Sequence, residues 1–247
     1  DDTLDNPDNI DTIAMAPDVL PSDVTVKRVL SDLYVMINNT ADRIKLTNWF
    51  AGDSYKVEQI RFADGTVWDS NAMQTLTSQN PPTDGDDYLV GTPESDVIDG
   101  GGGYDEIWGG AGDDILYGGS GGDGIYGEEG NDYMDGGSGS DYIEGDAGDD
   151  VLYGGSGNDY LISEEGNDIV YGDAGWDQII GGVGHDILHG GNSDDWVYGD
   201  EGDDILYGDE GNDYLNGNTG HDIVEGGDGD DTLYGEEGHD TLLGGSG

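Results

Sequence analysis

Residues 109–117 read G-G-A-G-D-D-I-L-Y, residues 154–162 read G-G-S-G-N-D-Y-L-I, and residues 226–234 read G-G-D-G-D-D-T-L-Y. These are three copies of one nine-residue unit. Working outward from them, Pro82 to Leu243 divides into eighteen units with no insertion or deletion, and Gly244-Gly245-Ser246-Gly247 opens a nineteenth. Position six is aspartate in every unit: Asp87, Asp96, Asp105, Asp114, Asp123, Asp132, Asp141, Asp150, Asp159, Asp168, Asp177, Asp186, Asp195, Asp204, Asp213, Asp222, Asp231 and Asp240. Position eight is always Leu, Ile, Val or Met, from Leu89 to Leu242. Position four is glycine at Gly103, Gly112, Gly121, Gly130, Gly139, Gly148, Gly157, Gly166, Gly175, Gly184, Gly202, Gly211, Gly220 and Gly229. Two unlike residue types held at one period over 162 residues mark a stacked repeat architecture rather than low-complexity disorder.

The unit can be read physically. Positions seven to nine form a short strand whose middle side chain faces inward and whose neighbours face outward. One such strand cannot bury its face alone, so units must stack. Positions one to six form the turn. Glycines at one, two and four permit positive φ and let backbone carbonyls face a common centre. The aspartate at six adds a hard carboxylate oxygen. Calcium takes six to eight oxygen ligands at about 2.3–2.6 Å, carbonyls included. Zinc favours His or Cys, and magnesium wants stricter octahedral geometry and more water. Calcium is the best match.

Charge points the same way. The chain of 247 residues carries 57 acidic and six basic side chains, for a net charge of −51. All six basic residues (Lys27, Arg28, Arg43, Lys45, Lys56, Arg61) precede residue 82, and 44 acidic residues follow it. Such a surface repels phosphate, which excludes nucleic acid as a partner and disfavours anionic lipid. No apolar run approaches the roughly 20 residues of a membrane span. The absence of cysteine rules out a disulfide scaffold and thiolate metal sites. The expected partner is a cation.

The pattern G-G-x-G-x-D-x-U-x resembles the haemolysin-type calcium-binding nonapeptide of repeats-in-toxin (RTX) proteins over residues 82–247. The resemblance implies an all-β, right-handed parallel β-roll: two parallel sheets, two units per turn, nine turns. Units of equal parity would stack at about 4.8 Å, giving a rod of about 43 Å. It also implies one calcium between each turn and the next but one in unit count. Positions two, four and six of the first unit, and one, three and six of the second, would supply oxygens. Mapped here, an ion would sit among Gly110, Gly112 and Asp114, and Gly127, Glu129 and Asp132, with Glu129 giving its carbonyl. Up to about sixteen ions are expected. Units 82–90 and 91–99 lack the double glycine, and Glu94 and Ser193 replace the glycine at position four. Poor calcium binding is expected at the amino-terminal edge and altered geometry near Ser193. Ser163 replaces the glycine at position one of its unit.

Aspartates about 5 Å apart in a column would repel by about 0.8 kcal/mol per pair even at the dielectric of water. Sixteen such pairs reach about 13 kcal/mol, against total stabilities of about 5–15 kcal/mol. The metal-free array is expected to be unfolded and the calcium-loaded array folded. Sixteen divalent ions would bring the array from −44 to −12. That suits a protein exported unfolded and folded outside the cell, as the type I secretion of the resembled family implies.

Residues 1–81 read as a small β-rich flanking or capping domain, and residues 82–247 as the roll. Strands are expected over 24–30, 33–37, 43–50 and 55–62, a hairpin turn at Ala63-Asp64-Gly65-Thr66, and a short helix over 69–78. The stretches I-K-L-T-N-W-F (44–50) and V-E-Q-I-R-F-A-D-G-T-V-W (57–68) resemble the haemolysin-type calcium-binding related domain. Asp2-Thr3-Leu4-Asp5 fits positions six to nine of a preceding repeat, and no signal peptide is recognised, so the chain is expected to belong to a longer one.

No catalytic residue is expected. Gly118-Gly119-Ser120-Gly121-Gly122 matches a nucleophile elbow, but in register with the repeat. His185, His221 and His239 at position five are expected to face solvent, and Trp108, Trp176 and Trp196 to serve surface packing. Seven of the nine even-numbered units carry aliphatic residues at position seven, including Ile169, Ile187 and Ile205, which would give one sheet an outward apolar face for another domain or a second copy. The leading expectation is a non-enzymatic calcium-loaded module of a secreted protein. The alternatives are an adhesin segment contacting glycans or surfaces, or the tail of a secreted hydrolase or toxin whose chemistry lies elsewhere.

Overall fold

The computed structural model describes residues 12–17, 19–29, 32–37, 43–46, 59–69 and 84–247. The chain forms two compact units, Asp1–Pro81 and Pro82–Gly247.

In the first unit six strands are described: β1 (Thr12–Ala14), β2 (Val24–Val29), β3 (Asp32–Ile37), β4 (Arg43–Leu46), β5 (Gln59–Arg61) and β6 (Val67–Asp69). Strands β2, β3 and β4 form an antiparallel meander, while β5 pairs in parallel with β1 and antiparallel with β6. Val24, Val35, Ile60 and Phe62 make the core. The turn read at Ala63–Thr66 is present. Phe62 N–H donates to the Thr66 carbonyl (2.9 Å), Thr66 N–H donates to Oδ1 of Asp64 (2.8 Å), and Gly65 takes φ 96°. Trp49, Phe50 and the repeat-like Asp2–Asp5 lie outside the described residues. So does most of the helix expected over 69–78, although Asp69 ends a strand.

The second unit is a parallel β-roll of about nine turns. Even-numbered units build a nine-stranded sheet running from Val97–Gly102 to Thr241–Leu243. Odd-numbered units build the other sheet, from Tyr88–Val90 to Thr232–Tyr234, with Thr219–Gly220 and Glu237–Gly238 as short continuations of its last rungs. Register is uniform: Ile115 pairs with Tyr133 and Leu116 with Met134, one full turn apart.

The full rungs are longer than the three residues expected. Tyr142–Ala147 and Val151–Ser156 each hold six, covering positions seven to nine and then one to three of the next unit. Only positions four to six turn. The reason is the pleat, which continues through position one: positions six, eight and one all face inward, and the residues between them face outward.

Sixteen position-eight side chains, from Leu89 to Val224, form one continuous core, with Leu233 packed against its end. Each turn adds two such side chains. Outside, position seven of the even units is less open than expected. Val97 is 72% exposed, but Ile169, Ile187 and Ile205 are half-buried. Position nine of the same sheet carries stacked rings: Tyr153 on Tyr171 (4.9 Å), Tyr171 on His189 (4.9 Å) and His189 on Tyr207 (4.5 Å), tilted by only 12–13°. The ring spacing is close to the strand spacing of about 4.7–4.9 Å, so the parallel register stacks them.

Leu161 lies in the middle of the core file and is fully buried. Leu161→Ala should destabilise the folded roll by about 2–5 kcal/mol, read as a lower thermal midpoint. Exposed Thr232→Ala should change it by less than about 0.5 kcal/mol.

Candidate metal centre

The inward pleat carries the position-six aspartates into the turns. From Asp105 to Asp222 they are at most 3% exposed. Each is tied to its neighbour one turn away. The backbone N–H of Asp87 donates to Oδ1 of Asp105 (2.7 Å), that of Asp96 to Asp114 (2.7 Å), that of Asp114 to Asp132 (2.8 Å), and the series runs on to Asp222 and Asp240 (3.2 Å).

The second carboxylate oxygen is different. In fifteen aspartates, from Asp105 to Asp231, Oδ2 is enclosed and has no hydrogen-bond partner. An unsatisfied buried acceptor costs about 1–3 kcal/mol, more when charged. Burial therefore raises the carboxyls from Asp105 to Asp222; the amide bond at Oδ1 offsets part, and repulsion from neighbouring acids adds to the rise in most of them, as at Asp114 and Asp150. Asp150 and Asp195 are pushed up to about 8, Asp141, Asp177 and Asp186 to about 7, and Asp105, Asp114, Asp159, Asp168, Asp204 and Asp213 to about 6.

Glycine at position one was read as a source of positive φ, but no positive φ occurs there. The glycine is required by close approach instead. A β-carbon on Gly109 would lie 2.5 Å from Oδ2 of Asp114 and 2.8 Å from the Gly127 carbonyl oxygen. On Gly118 it would lie 2.6 Å from both Oδ2 of Asp123 and the Gly136 carbonyl oxygen. The same two oxygens converge at each described position-one glycine from Gly91 to Gly208. At Gly217, Gly226 and Gly235 the three nearest atoms all belong to the aspartate.

Positions two and four do take positive φ, as at Gly110 (112°) and Gly112 (109°). Of the six residues mapped to one ion, Asp114 Oδ2 and the Gly127 carbonyl converge directly. Asp114 and Asp132 are linked through the amide ladder, and Gly110 pairs with Glu128 on the adjoining rung. The Glu129 carbonyl accepts the Gly112 N–H (2.8 Å), which leaves it one lone pair.

Among the described residues no group of three or more His, Cys, Asp or Glu side chains converges on a point. Any ion must therefore rely on backbone carbonyls, a donor set that suits calcium and not zinc. The residues fit calcium: enclosed carboxylate oxygens without donors, most of them beside a carbonyl oxygen, in a stretch with no Lys or Arg after residue 81.

The irregular units behave differently. Oδ2 of Asp96 is occupied, accepting the backbone N–H (2.5 Å) and hydroxyl (2.8 Å) of Thr92. Ser193 adopts the φ of a glycine (90°), and the amide bond from Asp195 to Asp213 passes it intact (2.8 Å), so the altered geometry expected there is confined to one residue.

Position five was missed as a structural position. Asp, Asn, Ser or His fills fifteen of its eighteen places, and that bias was the available signal. These short side chains accept the backbone N–H of position five one turn later: Asp113 from Asn131 (3.0 Å), Asn131 from Asp149 (2.9 Å), and Nδ1 of His185 from Asp203 (2.8 Å). His185, His221 and His239 are exposed as expected, and the last two stack (5.3 Å, 12°). Ser120 lies on a strand that leads to another strand, Gly124–Glu129, and not to the helix of a nucleophile elbow.

The raised carboxyls give the metal-free roll more bound protons than the unfolded chain, whose aspartates titrate near 3.9. Their contribution to its stability is fully present below about pH 4 and lost as pH rises through 6 to 8. Calcium held at these oxygens would compete with protons for them. Calcium uptake at pH 7 should release protons, and the calcium midpoint should rise at least about tenfold between pH 8 and pH 5. Calorimetry in buffers of different ionisation enthalpy checks this, and proton release of zero would contradict the assignment.

Comparison with known proteins agrees. The family described as haemolysin-type calcium binding protein related domain matches residues 32–72. The family described as RTX calcium-binding nonapeptide repeat, in four copies, matches in overlapping windows from 83–116 to 216–247. No curated protein matches the chain. The second match spans most of the chain, in register with the aspartate ladder, and the chain belongs to the RTX calcium-binding nonapeptide repeat family.

Proposed function

We propose that this chain is a calcium-driven folding module of a larger secreted protein, unfolded where calcium is scarce and folded outside the cell. The observation that carries the reading is the set of fifteen enclosed aspartate oxygens without a hydrogen-bond donor. A roll with two core side chains per turn cannot offset that many buried charges by apolar burial alone. A cation in each cradle would supply the missing partner. Calcium bound there provides positive charge and a flexible oxygen shell. The aspartates supply Oδ2, position one supplies its carbonyl, and the glycines let the turns approach.

Extracellular calcium modules bind at about 10⁻⁴–10⁻³ M, above the level inside cells. A chain of this kind would be exported unfolded, by a type I route in keeping with its family, and would stiffen on arrival. The module itself performs no catalytic step. Its first unit, residues 1–81, would flank or cap the array. No helix among the described residues is long and apolar enough to cross a membrane.

The stacked rings weigh against a glycan-binding role for the even sheet. Tyr153, Tyr171, His189 and Tyr207 hide their faces against one another, and sugars stack on ring faces. Trp176 and Trp196 are more exposed but meet each other edge-on at 5.5 Å.

Far-ultraviolet circular dichroism of a chelator-stripped sample should show coil at low calcium and a cooperative transition to sheet as calcium is added. Magnesium at equal concentration should leave the coil. A fully folded metal-free protein at pH 7.5 would overturn the reading.

A further inference from the structure

Among the described units, Ser163 is the sole position-one residue that is not glycine. Elsewhere that position is bare, because a β-carbon would crowd Oδ2 of its own unit's aspartate and the position-one carbonyl one turn on. In the neighbouring rungs of the same sheet these pairs are Asp150 with the Ser163 carbonyl, at Gly145, and Asp186 with the Gly199 carbonyl, at Gly181.

Ser163 puts a side chain where the others leave space. It is fully buried, and its Oγ–H donates to the Gly181 carbonyl oxygen at 2.7 Å. The Gly181 carbonyl is the position-one oxygen one turn on, the counterpart of Gly127 for Asp114. The carboxylate of Asp168, the position-six group of the same unit, lies beside the hydroxyl. The open point on which the two oxygens converge elsewhere is therefore filled by the Ser163 side chain, and one of those oxygens already accepts a hydrogen bond. A hydroxyl donating to that carbonyl occupies one of its two lone pairs and brings positive charge beside the other. The sheet is undisturbed: Ile162 pairs with Ile180 and Glu164 with Gly182 across the rung.

We propose that Ser163 closes the calcium position between Asp168 and Gly181, dividing the ions along that sheet into two separate blocks. The inference rests on the calcium reading above and adds that one position in the array is filled by a hydroxyl instead of an ion.

The test is the number of calcium ions bound per chain, measured by equilibrium dialysis and atomic absorption at saturating calcium and pH 7.5. Wild type, Ser163→Gly and Gly145→Ser are compared, with circular dichroism to confirm folding. Ser163→Gly should bind one ion more than wild type, and Gly145→Ser one fewer. Ser163→Gly restores the residue found at the adjacent rungs, so it remains a valid test even if Gly145→Ser fails to fold. An unchanged count in Ser163→Gly overturns the inference. If the affinity also falls, the hydroxyl is a calcium ligand. A wild-type chain that binds no calcium overturns the calcium reading itself and this inference with it.

Discussion

A carboxylate held inside a turn, with one oxygen bonded to an amide one turn away and the other bonded to nothing, governs the rest of this fold. The amide bond makes each aspartate a structural link between successive turns, as from Asp114 to Asp132. The free oxygen makes it a liability, because burial in a low-dielectric interior disfavours the ionised form. The core cannot compensate by bulk. It is a single file of side chains, Leu152, Leu161, Val170 and their fellows, too narrow to outweigh a column of like charges. On the proposed reading, fold and ion would be parts of one equilibrium, in which binding energy becomes folding energy.

Much of this was legible in the sequence. The aspartate and aliphatic positions announced themselves by strict period, and the pleat then required the aliphatic one to face inward, which the structure shows; that the aspartate continues the same pleat was not read. The match to the repeat family followed from the same residues. What was misjudged were positions whose constraint is set by a neighbour one turn away. Glycine at position one was read for its φ, whereas it serves the close approach of Asp114 and Gly127 at Gly109. That contact links residues 18 apart in sequence and has no local signature. The extent of the strands was underestimated for a related reason. Glycines at positions one and two, such as Gly154 and Gly155, look like turn residues, yet they pair along the sheet because parallel neighbours present the same small residues.

Position five shows the converse. Its side chains vary, so it looked free, but Asp113, Asn131, Asp149 and Asn167 share an acceptor at the right reach. The chemistry is held constant while the residue is not. The two adjacent columns also run in opposite senses. At position six an earlier turn donates to a later one, and at position five a later turn donates to an earlier one. Where both are present, a turn is therefore held from both sides by two consecutive residues, and exposed polar side chains join the stacking beside the buried ones.

The uniform step from rung to rung raises a problem of identity. A slip of one whole turn would keep every aspartate on an aspartate and every core residue on a core residue. The inner wall therefore carries almost no information about which turn belongs beside which. That information lies on the outside. Trp108 stacks on Tyr126 in the native alignment, whereas a one-turn slip would set it beside Glu144, and Tyr207 would move from His189 to Tyr171. The varied outer residues act as address labels on an otherwise self-similar ladder. They separate the correct alignment from its near-copies without any change to the interior.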